Sequence, residues 1–159
     1  MTDFFTHQLV ILLPGTKNGF CQPNVNFTGD TTQDALLMAP YLSGCGVTMT
    51  GDLTIGLAGV NDPVCGLLVY DGAGTSPLDG IGGADQSGVL TYVYGLATVK
   101  IPTRILAPSV TFAVGDKIYV GANHTLTNVA PGSGTFTTIG FVISAADQAN
   151  DGMIVQMSI

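Results

Sequence analysis

The scarcity of charged and helix-favouring residues is the feature that most constrains how this chain can fold. Lys, Arg, Asp and Glu together make up 9% of the 159 residues, against about 25% in a typical soluble domain. All the acidic residues are Asp, and Gly is abundant at 22 residues. Glu and Lys are strong helix formers, whereas Val, Ile and Thr favour strands. The composition therefore predicts an all-β protein.

The net charge and the positions of the basic residues disfavour some classes of binding partner. The formal net charge is −7, and the four basic residues, Lys17, Lys100, Arg104 and Lys117, are scattered along the chain. Contacts to phosphates need clustered Lys or Arg, so neither nucleic acid nor an anionic membrane surface is expected to bind. A surface this poor in charge suits a protein that is covered by copies of itself or by a larger assembly.

A membrane span and a secretory leader are not expected. The most apolar stretch, Leu9 to Leu13, ends at Pro14-Gly15, whereas a spanning helix needs about 20 apolar residues. The first residues carry Asp3 in place of a basic region, which is not typical of a signal peptide. We expect a soluble protein that is synthesised in a cytoplasm.

The cysteines do not predict a disulfide framework or a metal site. Cys21, Cys45 and Cys65 are odd in number and widely spaced, so we expect buried, reduced thiols that behave as small hydrophobic side chains. A zinc site needs further ligands, and only His7 and His124 can supply imidazole. No metal and no cofactor are predicted.

The first part of the chain differs from the rest. Residues 1–45 start with an apolar segment, continue through a turn-rich passage and offer the only short helix, over 34–42, which Pro40 limits to about two turns. We expect this region to be an extended N-terminal arm that packs outside its own core. The remainder, residues 46–159, is expected to form one β domain.

Strand signals recur at short intervals after residue 46, which is typical of a small antiparallel β-barrel or β-sandwich. A glycine-rich loop over 71–88 interrupts them, and a loop of that length is usually functional or mobile. The proline-flanked piece 103–107 reads as an edge. The predicted strands are 47–50, 53–55, 65–70, 89–101 with a break at Gly95, 110–114, 117–120, 125–129, 136–143 and 153–159.

Motifs that carry chemistry are few. Neither the nucleophile elbow Gly-x-Ser-x-Gly nor a phosphate-binding Walker loop occurs. Asp71 and the other aspartates of loop 71–88 read as turn residues, although hard cations also favour such carboxylates. His124 is expected on the surface of a hairpin turn. Tyr92 and Tyr94 share a strand face and are expected to form a cross-strand aromatic pair or a subunit contact, with a ligand-stacking platform as the alternative. No catalytic residue and no enzymatic activity are predicted.

The C-terminal third resembles a known family. Gly115-Asp116 opens a strand with an aromatic residue, a Thr-containing turn follows, Gly140 lies inside an apolar strand, and Gly152 precedes a final alternating strand. This order resembles the ending of tailed-bacteriophage capsid decoration (cement) proteins, which stabilise phage heads. Residues 60–102 resemble the preceding part of that family more loosely.

The resemblance implies a small β-barrel or sandwich that associates, often as a homotrimer, and binds the outer surface of the expanded capsid. There it stabilises contacts between major capsid protein subunits of the virion. We expect the arm to anchor the protein on the capsid or on a sister subunit, by adding a strand to an exposed sheet edge. The predicted interface residues are Phe4, Phe5, Leu9, Val10 and Ile11.

Two alternatives stay open. Another virion structural module, from a tail, a fibre or a receptor-binding domain, has the same composition, and loop 71–88 is then a recognition tip. A small ligand-binding or hydrolytic barrel needs a pocket lined by perturbed titratable groups, for which the sequence offers scattered Asp and two His.

Overall fold

Apart from two 3-10 turns, two β-sheets account for the regular structure of the described residues, so the predicted all-β class is confirmed. The computed structural model describes residues 10–11, 16–21, 41–52, 54–72, 89–145 and 152–159. The strands of these residues are β1 (Val10–Ile11), β2 (Thr16–Cys21), β3 (Gly46–Gly51), β4 (Thr54–Leu57), β5 (Gly66–Leu68), β6 (Val89–Val93), β7 (Leu96–Ile101), β8 (Lys117–Val120), β9 (Leu126–Thr127), β10 (Gly140–Ser144) and β11 (Met153–Ser158).

Five strands close into a barrel in the order β2-β4-β3-β5-β6. Most neighbours pair antiparallel, as the sequence predicted, but β2 pairs parallel with β4 through Phe20 and Thr54. That pair closes the ring because β2 also runs antiparallel to β6. Val47, Ile55 and Leu67 are fully buried in this half of the molecule.

The other strands form a six-stranded sheet in the order β1-β7-β11-β10-β8-β9. β11 matches β7 along its whole length, from Met153 opposite Ile101 to Ser158 opposite Leu96. The side chains alternate as a half-buried strand requires: in β7 every second residue is buried, beginning with Ala97. One face of this sheet therefore points to the core and the other points away from it.

The N-terminal region differs from the predicted arm at its described residues. β1 pairs with β7 through Val10 opposite Lys100, and β2 pairs with β6 through Thr16 opposite Val93. The segment thus runs alongside β6 and β7 in turn and contributes a strand to each sheet. Backbone hydrogen bonding explains this placement, because β1 and β2 each pair with a strand of the same chain and do not extend away from it. The other residues of 1–45 before Tyr41 lie outside the described residues.

The two sheets share one continuous apolar core. It combines barrel residues such as Leu68 and Val93 with sheet residues such as Val99, Val155 and Met157. Burying apolar area is the main favourable contribution to folding. Because the cluster spans both sheets, we expect them to unfold together.

Several local predictions need correction. Residues 103–105 form a 3-10 turn, not an edge strand. Residues 110–114 form no strand. The Ala113 N–H, for example, donates to the Asp116 carboxylate at 2.9 Å and not to a neighbouring strand. The strand predicted over 136–143 starts only at Gly140. The helix predicted over 34–42 falls almost entirely outside the described residues. Nowhere in the described part does a helix reach the length and apolarity of a membrane span.

Two glycines of the C-terminal motif are required by close packing. A Cβ at Gly140 would collide with the backbone of Gln156 on β11. Gly152 has a φ of +107°, and a Cβ there would collide with the carbonyl of Ile101 on β7. Glycine alone combines this conformation with so close an approach. The motif thus places glycine where strands meet.

Candidate functional site

The face of the six-stranded sheet that points away from the core is the candidate binding surface. Residues opposite each other in antiparallel strands lie on the same face, and Lys117, Phe141, Gln156 and Thr98 form one such row across β8, β10, β11 and β7. The strand residues of this surface, called the outer face below, include Leu96, Thr98, Lys100, Lys117, Phe141, Ile143, Ser144, Ile154, Gln156 and Ser158.

Large apolar side chains project from the outer face. Leu96 is 78% exposed, Phe141 44% and Ile143 40%. Ile143 lies in a β-bulge, where the pairing of β10 with β11 shifts between Val142 and Ser144. Bulges redirect side chains and are frequent next to functional sites. An exposed cluster of this kind on one sheet face is characteristic of a protein interaction surface.

The polar residues at the middle of the outer face are bonded within the sheet. The hydroxyl of Thr98 donates to Oε1 of Gln156 at 2.9 Å. The Gln156 amide donates to the carbonyls of Ala97, at 3.3 Å, and Met157, at 3.4 Å. These bonds hold the glutamine on the sheet, so the polar middle of the face presents a fixed surface to a partner.

The described strands of the outer face carry basic side chains and no acidic ones. Lys100 and Lys117 are two of only four basic residues in a chain of net charge −7. Lys117 is exposed and lies directly opposite Phe141. None of strands β7, β8, β10 and β11 contains an acidic residue. The outer face thus combines apolar area with positive charge.

The predicted interface residues fall partly beside this surface. Val10 and Ile11 form β1, which lies next to β7 at the edge of the same sheet. Phe4, Phe5 and Leu9 lie outside the described residues. Whether these five residues contact a partner stays a prediction.

Sequence reasoning missed the exposed residues of the outer face. Residues 139–143 are almost continuously apolar, a pattern that fits a strand covered on both faces. The sequence predicted a strand over 136–143 without assigning its faces, and the structure covers only one face of β10. A continuous apolar run was the signal in the sequence that could have pointed to an exposed apolar face.

A second concave surface lies at the end of β8. It is a groove of about 550 Å³ between the turn 122–124, the segment 107–110 and the loop 129–132. Its lining includes Val60, Pro108, Val129, Asn123 and Thr125. The described residues around it are all uncharged, so the groove lacks the titratable groups that catalysis requires.

The ion pair between Arg104 and Asp71 has a structural role. The Arg104 guanidinium binds both oxygens of the Asp71 carboxylate and donates to the Ser43 hydroxyl at 2.8 Å. Asp71 also accepts the Ser43 N–H at 2.8 Å. These bonds satisfy Ser43, which is fully buried, and attach the start of loop 71–88 to the turn after β7.

The side chains of Asp116 and His124 also form hydrogen bonds with backbone groups. The Asp116 carboxylate accepts the Ala113 N–H and, at 2.6 Å, the Asn128 amide, and these hydrogen bonds lower its pKa. His124 was expected on the surface, but it is half-buried and its Nδ1 donates to the Ala58 carbonyl at 2.9 Å. The turn at Asn123 and His124 carries positive φ angles, which brings the ring back onto the barrel.

Cys45 and Cys65 are free thiols, and Cys45 is buried as predicted. Cys45 is 2% exposed and Cys65 is half-buried, and neither forms a disulfide. Burial raises the pKa of Cys45 to about 11 and also raises the pKa of Cys65. A thiol that stays protonated is a poor nucleophile and a poor metal ligand. Across the described residues, no three His, Cys, Asp or Glu side chains are grouped as for a metal ion.

Tyr92 and Tyr94 form an aromatic pair with ring centroids 6.3 Å apart and planes at 57°. Tyr92 is only 7% exposed, so it offers little ring surface to a ligand. The two rings contact each other within one segment at the end of β6, and not across two strands as predicted.

Comparison with known proteins gives no assignment. Neither a scan against protein-family models nor a search of curated proteins finds a match to this chain.

Proposed function

We propose that this chain is a non-enzymatic structural protein of a tailed-phage virion, a decoration protein that binds the outside of the expanded capsid. In this role it stabilises contacts between major capsid protein subunits, together with sister copies in a trimer. The observation that carries the proposal is the outer face, an exposed apolar sheet surface on a chain that is otherwise poor in charge.

The position of the outer face supports this function. The C-terminal segment that resembles decoration proteins supplies β8, β10 and β11, which are three of the four strands of the face. A monomer rarely leaves a contiguous apolar patch in water, whereas the cores of protein interfaces are apolar with aromatic residues. Phe141 lies near the middle of the row between Lys117 and Gln156, as an interface anchor does.

The use of the described polar groups supports a structural role. The bonds of Asp71, Asp116 and His124 go to neighbouring turns and to Arg104. Catalytic groups instead face a cavity where a substrate can reach them. The groove at the end of β8 has uncharged walls.

The direct experiment mixes the purified chain with expanded, undecorated shells of the phage that encodes it and measures co-sedimentation. We expect saturable binding to expanded shells, with a fixed number of copies per capsid subunit, and little binding to unexpanded shells. Equal binding to both forms, or none to either, would contradict the proposed function.

The groove supports a second candidate, a small ligand-binding protein. A volume of about 550 Å³ lies in the range of ligand pockets, and aliphatic walls with Asn123 and Thr125 suit a neutral ligand such as an alkyl glycoside. Titration with octyl glucoside, followed by amide NMR, tests this candidate. Saturable shifts around the groove that vanish in Val129→Trp would favour it, and unchanged spectra would exclude this ligand class.

A further inference from the structure

A smaller cavity adjoins the groove at the end of β8. It measures about 350 Å³ and is lined by residues 103, 106–108 and 110–112. Ala107, Pro108 and Val110 line both the cavity and the groove, so the two lie side by side along one segment. The described residues that line them are all uncharged. One uncharged ligand of sufficient length can therefore reach both.

Thr103 gives the smaller cavity its chemical character. It lines the cavity, and its hydroxyl oxygen is buried with no hydrogen-bond partner among the described residues. The hydroxyl of the fully buried Ser43, by contrast, accepts a hydrogen bond from Arg104. Burying a polar atom without a partner costs free energy, so an unpaired hydroxyl in a folded protein requires an explanation.

The Thr103 hydroxyl is easily redirected. Threonine branches at Cβ, so its hydroxyl and methyl groups occupy staggered positions that exchange by rotation about χ1. A single rotation thus turns the hydroxyl towards a new partner without moving the backbone. The cost of leaving this hydroxyl unpaired is recovered when a ligand in the cavity bonds to it.

The polar groups of the groove are placed differently. The Thr125 hydroxyl donates to the Ala122 carbonyl at 2.7 Å, and the Thr127 hydroxyl accepts the Val129 N–H at 3.1 Å. Asn123 is exposed, so water reaches its amide. Aliphatic side chains make up much of the remaining lining. The groove therefore suits the apolar part of a ligand.

We propose that the groove and the smaller cavity together bind one neutral amphiphile, with its alkyl chain in the groove and a hydroxylated head group bonded to Thr103. This inference rests on the second candidate function, ligand binding in the groove. It adds the orientation of the ligand and the residue that selects its head group. A charged head group would lose its hydration beside uncharged walls, so the cavity selects a neutral one.

Titration with monomeric octyl glucoside, followed by amide NMR, tests this orientation. We expect saturable shifts at Val129 and Ala130 in the groove and at Thr111 and Phe112 in the smaller cavity. Octanesulfonate carries the same alkyl chain with a charged head group, and we expect it to bind about tenfold more weakly. Equal binding of the two probes would contradict the selection of a neutral head group.

Thr103→Val separates binding from stability. The change removes the hydroxyl and keeps the branched shape, so we expect octyl glucoside to bind about fivefold more weakly. The urea midpoint should stay the same or rise, because an unpaired buried hydroxyl is removed. Thr103→Ser keeps the hydroxyl and should bind within about twofold of the unaltered chain. Thr50→Val, at an exposed position of the barrel hairpin, is the matched control.

The outcomes separate this inference from the candidate function. Absence of saturable shifts in the unaltered chain overturns both. Shifts confined to the groove, or equal affinity of Thr103→Val and the unaltered chain, overturn the inference alone. A lower urea midpoint of Thr103→Val would assign the hydroxyl to the stability of the fold and would also overturn it.

Discussion

The barrel and the six-stranded sheet differ in the side chains that they expose to solvent. The exposed positions of the barrel hairpin β3–β4 include Thr50 and Asp52, and Met49 is the one large apolar side chain exposed on a barrel strand within the described residues. The sheet exposes Leu96, Phe141 and Ile143 on its strands. Both regions share one core, so folding alone does not account for the apolar outer face.

This difference between the two exteriors indicates which region we expect to bind a partner. A polar exterior is stable in water without a partner, and the exposed positions of the barrel hairpin are mostly polar. An exterior with an exposed aromatic residue beside Lys117 is disfavoured in water and is retained where a partner covers it. We therefore propose that the barrel acts as the scaffold of the molecule and that the sheet carries the binding surface.

The largest expected effect comes from deleting residues 1–13. The deletion removes β1 from the edge beside β7 and takes away all five predicted interface residues. We expect shell binding to be lost while the barrel stays folded, because β2 begins only at Thr16. Co-sedimentation measures binding, and circular dichroism with a urea midpoint measures the fold. Undiminished binding by a folded, truncated chain would refute the anchoring role of this segment.

Glycines at close strand contacts should show the largest effects on stability, in both regions. Gly66→Ala brings a Cβ against Tyr92 in the barrel, and Gly140→Ala brings one against the backbone of Gln156 in the sheet. We expect each to lower the free energy of unfolding by about 3 kcal/mol, measured in urea. Gly132→Ala is the control, since nothing lies within 4 Å of its Cβ. A two-step unfolding curve would contradict the conclusion that the two sheets share one core.

An exposed apolar residue from each region compares the two exteriors directly. Leu96→Ser alters the outer face, and Met49→Ser alters the barrel at a residue that is 47% exposed. Neither should change the free energy of unfolding by more than about 0.5 kcal/mol. Shell binding should fall about fivefold for Leu96→Ser alone. An equal loss in both variants would show that the two exteriors do not differ in function.

The smallest expected effect concerns the pH response of Asp116. Hydrogen bonds from Ala113 and Asn128 hold the pKa of its carboxyl below the ordinary value of 3.8. Its contribution to stability is therefore present above pH 3.8 and is lost as the pH falls through the lower pKa of the folded state. In Asn128→Ala we expect the pKa, followed by carboxyl NMR, to rise towards the ordinary value. An unchanged pKa would assign the shift to the backbone alone.

The sequence predicted the class of the fold better than its connections. Alternation in residues 153–159 and the turn at Gly121 correctly placed β8, β9 and β11, because these strands depend on local patterns. The parallel pair of β2 and β4 was not predictable, since register between distant segments is set by tertiary packing. The motif glycines Gly140 and Gly152 proved to serve strand contacts, so they indicate a fold more directly than a function.

The candidate surface was harder to predict for a related reason. Hydrophobic periodicity indicates which side chains can be buried, but it does not distinguish burial in the chain's own core from burial against a partner. The sequence placed Phe141 and Ile143 in a strand without indicating whether they are buried, and only the single covered face of β10 identifies them as exposed.

The most direct test of the central claim is a cryo-electron microscopy reconstruction of expanded shells saturated with this protein. We predict density on the outer surface of the shell in which β7, β11 and β10 face the capsid, with Phe141 and Lys117 in the contact and the barrel directed outwards. Density in which the barrel contacts the shell while the outer face points to solvent would contradict this account.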